Sequence, residues 1–310
     1  MSRTYIHSFP KELVSHVTAI CGQRGLEWLD RLPALIADLE LKWGVTVDVP
    51  FEKGEYNFVA PAYSPNGLDA VLKIAPPYER TEIFAEAAFL RSRAGDGCVR
   101  LLDEDRERFA ILIERARPGL SMDEHFEANP FACVDPAVEV LRSLLTLSPV
   151  DPADVQHLDD WFDRFRRFRE TDFPQDYGEK ALAIHERLRQ QHRRIFYLHG
   201  DFHPGNIVTS DRTPFLAIDP KGLIGHVSYD IAVFLNNLHW WQKGKLGIVD
   251  NLNDAVGRFA AAFEIERWEV REAAFAFMVI GAWWIFDEMP EHYENEVELA
   301  DIWGISLTDS

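Results

Sequence analysis

The chain has 310 residues, 47% of them apolar and 27% charged, and its 32 Lys and Arg against 51 Asp and Glu give a net charge of -19. This is a globular composition that can bury most of its surface without disulfides, and at about 150 residues per domain it predicts two domains. The acidity argues against a nucleic-acid backbone as partner and favours encounter with cations. Cys21, Cys98 and Cys133 are odd in number and widely spaced, so neither a zinc ribbon nor a disulfide framework is expected. Residues 1–10 lack an apolar signal core, which predicts a cytoplasmic protein. The longest apolar run, residues 273–286, is shorter than the roughly 20 residues of a membrane span. It predicts a buried helix and no membrane partner.

Leu13, Val14, Val17 and Ile20, then Leu29, Leu32, Ile36 and Leu39, recur at helical spacing, so two helices lead, with Pro33 at the start or a kink of the second. Residues 55–63 and 68–75 alternate as strands around Ser64-Pro65-Asn66-Gly67, a hairpin signal. A helix over 79–93 and short strands over 99–102 and 109–113 complete a small sheet with one inserted helix. Pro118-Gly119 marks the change of character. Beyond it the pattern is helical over 137–147, 160–169 and 178–193, with brief strands over 195–198, 207–209 and 215–218, and helical again to the end. The expected class is α+β: a β-rich lobe over 1–116 and a mainly helical lobe over 117–310, with a ligand cleft between them.

The segment His199-Gly200-Asp201-Phe202-His203-Pro204-Gly205-Asn206 fits H-x-D-x-x-x-x-N between two strands. Phosphoryl transfer to a hydroxyl needs a carboxylate to accept the hydroxyl proton and a neutral oxygen donor nearby to help hold a metal. Asp201 and Asn206 supply these two groups. Asp219 ends the next strand and is the natural second ligand for magnesium, which prefers hard oxygens. Two other readings compete. Pro-Gly-Asn is also ordinary turn chemistry, and His199, Asp201 and His203 resemble the start of a 2-His-1-carboxylate iron site, although that reading leaves Asn206 and Asp219 unused.

Lys73 interrupts the apolar strand Ala70-Val71-Leu72-Lys73-Ile74-Ala75, and alternation puts it on one face with Val71 and Ala75. A cation there needs an anion. Donor phosphates would serve, with Glu86 on the following helix, or Glu82 one turn earlier, holding the amine. An edge-strand lysine reaching solvent is the plainer alternative.

These motifs, in this order, with Ile218-Asp219-Pro220-Lys221-Gly222-Leu223, Leu112-Ile113-Glu114-Arg115 and Tyr229-Asp230-Ile231-Ala232, resemble the aminoglycoside phosphotransferases, in particular the streptomycin 6-phosphotransferase and hydroxyurea-resistance kinase group. The resemblance covers most of residues 28–300 and implies a protein-kinase-like two-lobed fold. It also implies ATP, with GTP open, together with Mg2+ and a cationic antibiotic-like alcohol as acceptor. It makes Asp201 the catalytic base and Asn206 and Asp219 the metal ligands. Val71, Lys73, Glu86, the hinge backbone from Glu114 to Ala116, and His203 would bind nucleotide. His199 and Asp230 would support the catalytic loop, and Asp287 and Glu288 at the end of the long apolar helix would meet the acceptor.

Two departures stand out: only Gly54 remains of the phosphate-covering glycine loop, and His226 occupies a place where relatives usually have an acid. A solvated face accounts for Glu291, Glu294, Glu296, Glu298 and Asp301, and core packing for Trp240-Trp241 and Trp283-Trp284. Trp161, Phe165 and Phe168 share a helical face, which turns Arg164, Arg166, Arg167 and Arg169 to water rather than to RNA. The expected partner is therefore a small molecule, and the expected state a monomer or weak dimer. The rival functions are a metabolic kinase of an amino-alcohol or sugar, a silent nucleotide-binding pseudokinase, and an iron enzyme.

Overall fold

A computed structural model describes residues 9–52, 56–77, 82–145, 155–191, 194–290 and 292–305. The chain divides into two compact units, residues 1–95 with 99–117, and residues 96–98 with 118–310. Gly54 and residues 79–81, the expected start of a helix, lie outside the described residues.

The first unit runs α1 (Lys11–Cys21), α2 (Gln23–Trp43), β1 (Thr46–Val47), β2 (Phe58–Tyr63), β3 (Asp69–Ile74), α3 (Ile83–Arg93), β4 (Leu101–Asp105) and β5 (Ala110–Glu114). Its antiparallel sheet has the order β1-β2-β3-β5-β4. Period-2 alternation sends Phe58, Ala60 and Ala62 and then Ala70, Leu72 and Ile74 to one face. There they meet Leu13, Val17, Leu32, Ile36 and Leu39 of the leading helices at the helical spacing read from the sequence. Gly22, at φ +55°, breaks α1 from α2. The second helix therefore starts well before Pro33, which lies inside it and cannot donate to the preceding turn. In the β2–β3 hairpin the Gly67 N–H donates to Ser64 O at 3.1 Å, and Gly67 takes φ +88°, where a side chain would strain the turn.

The second unit runs β6 (Pro118–Ser121), α4 (Met122–His125), α5 (Val134–Leu144), β7 (Gln156–His157), α6 (Leu158–Phe165), α7 (Gln175–Gln191), β8 (Phe196–Leu198), β9 (Ile207–Ser210), β10 (Phe215–Ala217), β11 (Leu223–Gly225), α8 (Val227–Trp241), α9 (Ile248–Phe263), α10 (Arg267–Glu288) and α11 (Glu294–Ala300). Two small sheets frame the segment from β8 to β11. One has the order β10-β9-β6. The other is β7-β11-β8, with β11 antiparallel to β8 and parallel to β7. Strands β6, β7 and β11 have two to four residues each and no alternation to betray them.

The apolar run 273–286 forms the middle of α10, with Ala273, Ala274, Phe275, Ala276, Val279, Ile280 and Ala282 fully buried. No helix among the described residues is long and apolar enough to cross a membrane. Trp161, Phe165 and Phe168 are buried while Arg164, Arg166, Arg167 and Arg169 are exposed, as helical spacing predicts. Of the paired tryptophans, Trp283 is core but Trp240 and Trp284 are exposed. Near the C-terminus, buried Trp303 donates its Nε1–H to Asn236 Oδ1 at 3.0 Å, and Asn236 Nδ2 donates to Ala274 O at 2.9 Å, tying α8 to α10.

Candidate active site

The loop from His199 to Asn206 leaves β8 and is built around a buried carboxylate. Asp230, in the first turn of α8 and 1% exposed, accepts the backbone N–H of His199 on Oδ2 and that of Gly200 on Oδ1, each at 2.8 Å. Burial pushes its carboxyl up to about 7 against the opposing pull of these two N–H groups. Gly200 takes φ +81°, and a Cβ there would meet Leu223 at 3.0 Å. Both conformation and space require glycine.

His199 is wholly buried. Its Nε2 faces Ile218 O at 2.9 Å and its Nδ1 accepts the Asp201 N–H at 3.2 Å, which fixes the tautomer with the proton on Nε2. Burial drives its pKa down to about 3, so it is neutral. Both ring nitrogens are committed to the loop, and the iron-ligand reading of His199 fails on that geometry. The carbonyl of His199 accepts the N–H groups of Lys221 and Gly222 at 2.7 and 3.2 Å, and Ile218 N–H donates to Asn206 O at 2.9 Å. The segment carrying Asp219 is thus stitched to the loop by backbone bonds. Asp219 itself is exposed and left-handed, at φ +58°. Such a conformation costs of order 1 kcal/mol in a non-glycine residue and persists where the surroundings enforce it.

Asp201 is half-buried. Asn206 Nδ2 donates to its backbone O at 3.1 Å and its Oδ2 at 3.3 Å. These contacts use the amide nitrogen of Asn206, and its Oδ1 is the atom of the side chain that can act as a hard oxygen donor. His203 caps the 3-10 turn Pro204–Asn206 by accepting Gly205 N–H at 3.1 Å on Nδ1, and its Nε2 lies 3.9 Å from Asp201 Oδ1. In this structure the histidine therefore stabilises the loop.

In the first unit Lys73 and Glu86 are both buried and pair at 2.6 Å. Glu82, the other candidate, is exposed at the N-cap of α3. Val71 is half-buried on β3, paired with Pro61 and Ile113. Glu114 ends β5, its N–H donating to Arg100 O at 2.8 Å and its Oε2 accepting Arg100 N–H at 3.0 Å. Ala116 is half-buried just beyond the strand.

Asp287 is exposed in the last turn of α10, and the side chain of Glu288 lies outside the described residues. Asp301 accepts the Tyr177 hydroxyl at 2.7 Å. His226 is buried and caps α8, its Nδ1 meeting Ser228 Oγ at 2.7 Å and Ser228 N–H at 3.3 Å. A departure legible in the sequence is thus a helix cap. The left-handed backbone of Asp219 has no signal in the sequence, whereas that of Gly200 is signalled by the glycine itself.

Residues 42–288 match the family described as aminoglycoside/hydroxyurea antibiotic resistance kinase. A streptomycin 6-kinase of Streptomyces glaucescens is 30% identical over 254 residues, 74% of this chain and 75% of that protein. A hydroxyurea phosphotransferase of Kitasatospora aureofaciens is 29% identical over 285 residues, 86% of this chain and 82% of that protein. Among solved structures, a choline/ethanolamine kinase family protein from Mesorhizobium loti superposes with a TM-score of 0.66 at 15% identity, over 89% of this chain and 95% of its own, which shows the kinase-like fold. The chain therefore belongs to the aminoglycoside/hydroxyurea antibiotic resistance kinase family and is a phosphotransferase.

Proposed function

We propose that the chain transfers the γ-phosphoryl group of ATP to a hydroxyl of a cationic, sugar-like antibiotic of the streptomycin type. The observation that carries this is the loop from His199 to Asn206, which presents the Asp201 carboxylate on a backbone clamped by buried Asp230. The acceptor oxygen attacks the γ-phosphorus in line, its O–P bond forms as the bond to the β-phosphate oxygen breaks, and its proton passes to Asp201. ADP leaves with that electron pair. Positioning and charge neutralisation supply most of the acceleration.

In this reading residues 1–116 hold the donor. Lys73, kept in place by Glu86, contacts its phosphates beside Val71, and the backbone of Glu114 and Ala116 meets the adenine. Residues 117–310 carry the base, the metal ligands and the acceptor groups, with Asp287 and Glu288 as first candidates for cationic groups of the acceptor and His203 as a phosphate contact. Asn206 Oδ1 and Asp219 are an oxygen set that suits Mg2+, which ordinarily takes its other ligands from phosphates and water. Bound there, Mg2+ would neutralise charge on the donor phosphates.

Mass spectrometry of streptomycin, other aminoglycosides, hydroxyurea, choline and ethanolamine after incubation with enzyme, Mg2+ and ATP tests the reading. A phosphorylated aminoglycoside is expected. Its formation should fall by about 10²–10⁴ in a folded Asp201→Asn variant, the range for a lost general base. Phosphorylation of choline or ethanolamine alone would replace the antibiotic reading with a metabolic one, and undiminished turnover in Asp201→Asn would remove the base assignment.

A further inference from the structure

Tyr229 stands immediately before Asp230 in the first turn of α8, and its side chain begins a second polar line through the helical unit. Its hydroxyl lies 2.9 Å from His185 Nδ1 on α7, and His185 Nε2 lies 2.9 Å from Asp159 Oδ1 on α6. The direction of the chain follows from chemistry. An ionised carboxylate only accepts, so Nε2 carries the imidazole proton, and Nδ1 must accept from Tyr229. The His185 ring is stacked flat on Phe162, with centroids 3.7 Å apart and planes 2° apart, so it cannot swing to another partner without losing that contact.

Tyr229 and His185 are 3% and 7% exposed, and with Leu158, Leu188 and Ile224 they line a cavity of about 60 Å3. Burial holds the Tyr229 hydroxyl protonated and keeps His185 below its ordinary pKa, so both are neutral. Burying a hydroxyl and an imidazole costs free energy that a phenylalanine and a leucine would avoid, and what such a line returns is a unique geometry. Three helices are bolted together one residue away from the carboxylate that holds the catalytic loop.

We infer that Asp159, His185 and Tyr229 are positioning residues for phosphoryl transfer: their chain fixes the first turn of α8 and so the Asp230 carboxylate on the amides of His199 and Gly200. The line touches neither donor nor acceptor and acts only through Asp230. Its link to turnover rests on the proposed role of Asp201, whereas its effect on the loop does not.

Amide hydrogen exchange of the full chain, resolved at His199 and Gly200, reads the effect directly in wild type, Tyr229→Phe and Asp159→Asn. Tyr229→Phe should speed exchange at these two amides by about tenfold and leave the core of α10 unchanged, the signature of a local rather than global opening. On any acceptor that wild type phosphorylates, kcat should fall by about tenfold with KM for both substrates nearly unchanged. In an Asp230→Asn background Tyr229→Phe should add nothing, because the two act in series. Asp159, whose side chain is 52% exposed, gives a variant whose folding is safe, with the same pattern at smaller amplitude. Unchanged exchange at His199 and Gly200, a uniform rise throughout the unit, or additive losses in the double variant would each overturn the inference. If wild type phosphorylates no acceptor at all, the substrate reading falls while the exchange result still decides this one.

Discussion

The first unit and the loop from His199 to Asn206 hold charged side chains in place in opposite ways. Lys73 and Glu86 sit on a regular strand and a regular helix, and each is held by the other at 2.6 Å. Asp201, Asn206 and Asp219 sit on irregular backbone, held by main-chain groups that converge on His199, Asp230 and Asn206. In the sheet, the position is set by packing and the charge is balanced by a partner. In the loop the backbone does the holding, and the cost appears as a left-handed conformation at Asp219, with glycine at the left-handed positions 200 and 222.

The contrast predicts different failures. Glu86→Ala leaves the Lys73 ammonium without its buried carboxylate and should destabilise the chain by about 3–5 kcal/mol, whereas a Lys73→Met, Glu86→Leu pair should restore much of that stability without restoring turnover. Denaturant unfolding of the three proteins separates the cases. Asp219→Asn tolerates the same left-handed backbone and removes only the charge, so it should keep its melting temperature while turnover falls by about a hundredfold and the Mg2+ requirement rises. A magnesium titration of initial rates checks this. Gly200→Ala forces a side chain into φ +81° against Leu223 and should cost about 1–2 kcal/mol with some loss of kcat, visible in thermal melts and rates.

The smallest effect is in pH dependence, where two buried groups oppose each other. His199, lowered from 6.5 to about 3, contributes stability that is present above 6.5 and lost as pH falls toward 3. Asp230, raised from 3.8 to about 7, contributes stability that is present below 3.8 and lost as pH rises through 7. The slopes partly cancel between pH 4 and 6.5. Melting temperatures across that range should climb more steeply with pH in Asp230→Asn than in wild type, and His199→Gln should flatten or reverse the trend.

Much of this was legible in the chain itself. The Lys73–Glu86 pair could be read, with Glu82 as its rival, because strand alternation and a following helix leave few partners, and the loop motif marked Asp201 and Asn206 as neighbours, which the folded chain brings within hydrogen-bond reach. The apolar run 273–286 could only be buried. Strands β6, β7 and β11 escaped because a strand of two to four residues is defined by its partners and not by its own pattern. Of the two places the sequence left for Pro33, the start of the second helix or a point within it, the folded chain takes the interior one, where packing of Leu32, Ile36 and Leu39 against the sheet outweighs one missing helix hydrogen bond. The Asp159–His185–Tyr229 line escaped because its members come from three helices far apart in sequence, and only the folded chain brings them together.

The hydrogen bond from Trp303 to Asn236 sets a practical limit on engineering the protein. Its indole is 3% exposed, and the Asn236 amide that receives it passes the tie to Ala274 in the middle of α10. A purification tag appended after residue 305 leaves this latch closed. Trimming back past Trp303 opens a hole between α8 and α10 and strands the Asn236 oxygen, so a chain shortened by eight residues should come out of the cell largely aggregated, whereas one shortened by four should not.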